Sequence, residues 1–114
     1  MATPTLLEYS DDIARLDGQH VLARGIYRAR PMPVQGGTPA GRPADRAALE
    51  LAGGVDVWLE PLDLPQSRRT DDELRRCADR RVQVTGTLHA LMPARGQGLM
   101  APCLTDTGTV ERVP

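Results

Sequence analysis

The sequence predicts an all-β fold with one short helix: a small five-stranded Greek-key barrel, the helix lying between the third and fourth strands. Three observations predict it. First, Val21-Leu22-Ala23-Arg24-Gly25-Ile26-Tyr27-Arg28-Ala29 is echoed by Val82-Gln83-Val84-Thr85-Gly86-Thr87-Leu88-His89-Ala90, with Val, Gly and Ala at the same offsets. A strand-interior glycine costs stability, so it marks a bulge, a sharp bend or a close backbone approach. Second, Gly53-Gly54 separates two alternating apolar runs, the signature of a hairpin. Third, Thr70-Asp71-Asp72-Glu73 is a capping box placed just before the second glycine-centred strand.

The chain has 114 residues, which is the length of one domain. Such a domain buries roughly two-thirds of its unfolded surface. Hydrophobic residues make up 40%, and Gly and Pro supply 11 and 10 residues, so a modest core with long irregular connections is expected. The sequence contains no Lys, Asn or Phe, and all 14 basic residues are Arg. The missing residue types are those with AT-rich codons, as in a high-GC bacterial genome. The net charge of −1 lacks the basic excess of a typical nucleic-acid domain. No apolar run is long enough to span a membrane, and the N-terminus lacks the basic start and apolar stretch of a signal peptide. A cytoplasmic location is the expectation.

The elements follow in order. Residues 1–16 form an N-terminal extension, with Ser10 capping a short helical turn through Leu16. Asp17-Gly18 turns into the first strand, about 19–30. Residues 31–45 hold four Pro and three Gly and read as a flexible surface loop. Residues 47–52 and 55–60 form a hairpin with a two-residue Gly53-Gly54 turn. Leu49, Leu51, Val55, Val57 and Leu59 would share its inner face, and Glu50, Asp56, Trp58 and Glu60 its outer face. Pro61 to Pro65 ends the hairpin. The helix covers roughly 71–79, with Asp71–Arg75 and Asp72–Arg76 paired one turn apart. The fourth strand runs over about 81–92. The last spans Leu99 to Val113, interrupted near Asp106-Thr107-Gly108.

This order, with the mid-strand Gly25 and Gly86, the Gly53-Gly54 hairpin and the capped helix before residues 81–88, resembles the oligonucleotide/oligosaccharide-binding (OB) fold over residues 17–113. The resemblance implies a binding module, because such barrels bind with the face of strands two and three. It implies no particular ligand.

No catalytic signature appears. There is no phosphate-binding G-x-x-x-x-G-K-[ST], no G-x-S-x-G and no H-E-x-x-H. His20 and His89 have no carboxylates placed around them by any motif. Cys77 and Cys103 lack metal-ligand spacing and read as buried thiols. No cofactor, metal or catalytic residue is assigned. Arg68, Arg69, Arg75, Arg76, Arg80 and Arg81 crowd the helix, interleaved with Asp71, Asp72, Glu73 and Asp79. They read as a salt-bridged face, or more sharply as a surface for phosphate or an acidic partner.

The function expected is a non-enzymatic binding module for another protein, of the inhibitor or immunity type or an accessory subunit. The alternative is a single-stranded nucleic-acid binder, which would use a basic groove and stacked aromatics. Against it stand three aromatic residues in all and an acidic outer face on the hairpin. The binding face assigned is Tyr27, Arg28 and Arg30 of the first strand and Trp58 of the third, rimmed by the 31–45 loop. An exposed edge strand would also support a homodimer.

Overall fold

In the computed structural model, which describes residues 3–31, 45–60, 69–93 and 100–113, the sheet closes on itself. The strands are β1 (Thr5–Leu7), β2 (His20–Pro31), β3 (Asp45–Glu50), β4 (Asp56–Trp58), β5 (Arg81–Pro93), β6 (Met100–Thr105) and β7 (Glu111–Arg112). Among the described residues one α-helix, α1 (Asp71–Cys77), lies between β4 and β5. Strands β2, β3, β4, β6 and β5 pair in that order, and β5 returns to β2, which makes a closed five-stranded Greek-key barrel with OB-like strand order. The pairings are antiparallel except at the β4–β6 seam, where Trp58 meets Cys103 in parallel. β1 and β7 are additions, parallel to β2 and antiparallel to β5. No described helix is long and apolar enough to cross a membrane.

The two glycine-centred strands are the pivots. β2 pairs with β5 over His20–Ile26 and with β3 over Ile26–Pro31, so it changes partner at Gly25. A Cβ on Gly25 would collide with the carbonyl oxygen of Glu50. On β5, a Cβ at Gly86 would lie 3.0 Å from the carbonyl oxygen of Thr105. Both glycines therefore permit close approach of backbones at a bend. Around them the inward positions are apolar: Val21, Ala23 and Tyr27 on β2, and Val82, Val84 and Leu88 on β5, all buried. Leu49, Val57, Leu59 and Leu104 close the core from the other strands.

The hairpin differs from the expected two-residue turn. Ala48 pairs with Trp58 and Leu49 with Val57, and Leu51 N–H donates to the Val55 carbonyl at 3.0 Å. The loop is Ala52-Gly53-Gly54, with Gly53 and Gly54 at φ +107° and +92°. Leu49, Leu51, Val57 and Leu59 are buried, but Val55 is 38% exposed and leaves the inner face. Glu60 is opposite Leu59 in facing but is also buried, because it meets the buried Arg46 at 3.2 Å.

The N-terminal residues also depart from the expectation. They supply β1, and Leu7, Ile13 and Leu16 join the core. Ser10 begins a 3₁₀ turn (Ser10–Asp12), and its side chain caps nothing. It bonds the hairpin instead, donating to the Ala52 carbonyl and accepting from Val55 N–H, both at 3.1 Å. Thr70 does cap α1, accepting from Glu73 N–H at 3.1 Å. The Asp71–Arg75 and Asp72–Arg76 pairs do not form among the described residues; Glu73 pairs with Arg69 instead. The 31–45 loop falls almost wholly outside the described residues.

Candidate binding face

Register builds the outer face row by row, since residues paired across a sheet share a face. One row reads Arg28, Ala48, Trp58, Cys103 and His89 across β2, β3, β4, β6 and β5. A neighbouring row carries Glu50 and Asp56, paired on β3 and β4. Ala48 and Cys103, which flank Trp58 across the sheet, are buried yet stand apart from the core cluster. Trp58 is half-buried between them.

The arginines of this face are engaged by carboxylates. Arg28 donates through Nε to Glu50 at 3.2 Å and through a terminal nitrogen to Asp79 at 2.6 Å. Asp79, and after it Glu50, raise the Arg28 guanidinium above its usual value. Arg30 donates to Asp56 at 3.1 Å and to Glu50 at 3.3 Å. Charge on this face is thus balanced within it.

Of the four residues assigned to the binding face, the structure brings Arg28, Arg30 and Trp58 to the outer side. Tyr27 it does not: the ring is fully buried and turned to the core. The signal that separates Tyr27 was its parity. It lies an odd step from Arg24, Arg28 and Arg30 but an even step from Val21 and Ala23, and side chains alternate along a strand.

Tyr27 serves a different cluster. Its hydroxyl donates to Glu73 on α1 at 2.6 Å. Arg69 grips the same carboxylate with two bonds of 2.7 Å and reaches Thr107 at 2.9 Å. Burial, then the bond to anionic Glu73, push the Tyr27 hydroxyl far up. Burial alone would raise Glu73, but the donors Arg69 and Tyr27 and the guanidinium charge outweigh it and hold the carboxyl below its ordinary value. The cluster fastens α1 to the barrel wall.

The remaining candidates are dispersed. His89 Nε2 lies 2.8 Å from the Thr105 hydroxyl, and His20 is exposed. Neither cysteine is in a disulfide, and both are buried. Among the described residues no group of three His, Cys, Asp or Glu side chains could hold a metal ion. Compared with protein-family models, curated proteins and solved structures, the chain matches none of them.

Proposed function

We propose that the chain is a non-enzymatic binding module on an OB-type barrel, with another protein as its partner. The carrying observation is the internal charge balance of the Trp58 face. Arg28 and Arg30 are held by Glu50, Asp56 and Asp79, which leaves little free positive charge for a phosphate backbone. A half-buried tryptophan framed by neutralised Arg–carboxylate pairs suits a protein interface, where Trp and Arg are enriched. The OB assignment rests on the closed strand order and on the helix between β4 and β5. In such barrels the second and third barrel strands, here β3 and β4, carry the ligand face.

Two experiments test this reading. Titrating the fluorescence of Trp58, the sole tryptophan, with single-stranded DNA and RNA at low salt is expected to leave emission unchanged. Quenching with steep salt dependence would replace the reading with nucleic-acid binding, which Trp58 on a barrel strand favours. In parallel, immobilised protein is expected to retain a stoichiometric partner that a folded Trp58→Ala variant loses. Equal recovery by both would remove Trp58 from the interface.

A further inference from the structure

A cleft of about 530 Å³ opens where the α1–β5 turn meets the last strand, lined by Asp79, Arg80, Arg81, Arg112 and Val113. Three arginines contribute to its lining: Arg80 from the turn, Arg81 from the start of β5 and Arg112 from β7. The pairing Val82–Arg112 and the bond from Val113 N–H to the Arg81 carbonyl at 2.8 Å set β7 beside Arg81. The turn is fixed as well. Asp79 N–H donates to the Tyr27 carbonyl at 2.8 Å, and Tyr27 N–H donates to the Arg80 carbonyl at 2.9 Å. Asp79 itself is held in the left-handed region at φ +62°. The backbone that presents Arg80 and Arg81 is thereby ordered before any ligand arrives, which lowers the cost of binding.

The charge of the cleft is unbalanced, unlike that of the Trp58 face. Its own carboxylate, Asp79, is engaged by Arg28 at 2.6 Å. Glu8 is shared between Arg81 at 3.2 Å and Arg24 at 3.8 Å, one carboxylate against two guanidiniums. Among the described residues only Arg75, Arg76, Arg80 and Arg112 meet no carboxylate, and two of these line the cleft. Glu111 alternates away from Arg112, to the face that Gln83 and Arg81 share. Among the described residues no aromatic or large apolar side chain lines the cleft. Such a lining suits a compact polyvalent oxyanion rather than a base or an apolar group, because guanidinium forks bind phosphate oxygens in pairs.

We infer that this cleft binds a pyrophosphate group, as the free anion or as the diphosphate of a nucleotide. The inference is independent of the protein-partner reading, since it uses neither Trp58 nor a partner. The test is calorimetric titration of the whole chain with inorganic pyrophosphate, and separately with a nucleoside diphosphate, at low and at physiological salt. Arg80→Gln and Arg112→Gln are exposed changes that remove no ion pair, so both variants are expected to fold. Each should weaken binding about tenfold, and the double variant should abolish it. Arg15→Gln is the charge-matched control. Its segment packs near Leu88 and Ala90, seven residues or more along β5 from Arg81. It should bind as the unaltered chain does. Equal affinity for the two probes identifies the phosphate groups alone as the ligand, and tighter nucleotide binding identifies a nucleotide. The inference is overturned if the unaltered chain takes up neither probe at low salt, if the double variant still binds, or if Arg15→Gln loses affinity to the same degree.

Discussion

At Gly25 one methyl group would do more harm than anywhere else on β2, because the atom it meets is a backbone carbonyl and not a movable side chain. Gly25→Ala is expected to destabilise the fold by about 3 kcal/mol, the upper range for overpacking. Gly86→Ala, whose nearest contact is 3.0 Å, should cost less, about 1 kcal/mol. Urea denaturation of the two variants checks the ranking; equal small losses would mean that the strands part easily at their bends. Glu73 gives a second residue-scale prediction. Its folded carboxyl lies below the ordinary 4.5, so the stability it adds is fully present above that pH and is lost as pH falls through the folded value. Glu73→Gln should therefore be less stable than the unaltered chain at neutral pH, with the gap narrowing as the pH falls below 4.5 toward the folded value. A gap independent of pH would show that the charge of Glu73 is unimportant. Much of this scale was legible in the chain: interior glycines announce close approaches, and alternation places Arg28 and Arg30 outward. The partners were not legible. Glu50 lies 22 residues from Arg28 and Asp79 lies 51 away, and no local pattern encodes contacts that only barrel closure creates.

The hairpin shows how an element corrects a local signal. A two-residue Gly53-Gly54 turn would pair Leu49 with Trp58 and so place them on one face. Leu49, Leu51, Val57 and Leu59 can share a face only if the loop holds an odd number of residues, and the loop has three: Ala52, Gly53 and Gly54. Burial of the apolar set thus overrides the preference of Gly-Gly for the shorter turn. Ser10 then secures the loop from outside, and a Cβ on Gly53 would lie 2.9 Å from its hydroxyl oxygen. Ser10→Ala removes two hydrogen bonds at an exposed site, with an expected loss of about 1 kcal/mol. The Val55 amide should also exchange faster with solvent, while amides of β5 keep their protection. Unchanged exchange at Val55 would assign the order of the loop to its glycines alone. The Ser10 role was hidden because the same residue before Asp11-Asp12 makes a good helix cap on paper. β1 was hidden for a related reason: three residues show no periodicity.

For the whole molecule, the strand order could be read from the succession of strands, hairpin and helix, because few topologies accommodate that succession in so short a chain. What could not be read is where the closed barrel is weakest. Among the described residues the β4–β6 seam has one paired position, Trp58 with Cys103, whereas β2 and β5 pair continuously from His20–Thr87 to Ile26–Arg81. Opening at that seam should need less free energy than global unfolding, as local openings generally do. The two cysteine thiols report the difference, since each is 1% exposed, Cys103 at the seam and Cys77 in the core at the end of α1. Under native conditions a thiol reagent is expected to label Cys103 at least about tenfold faster than Cys77, a gap of some 1.4 kcal/mol between the two openings. Trp58→Ala should widen the gap by accelerating Cys103 and leaving Cys77 nearly unchanged. If both thiols react at one common rate, the barrel opens only as a unit. Trp58 would then be a surface side chain with no part in holding the seam, which frees it for an interface.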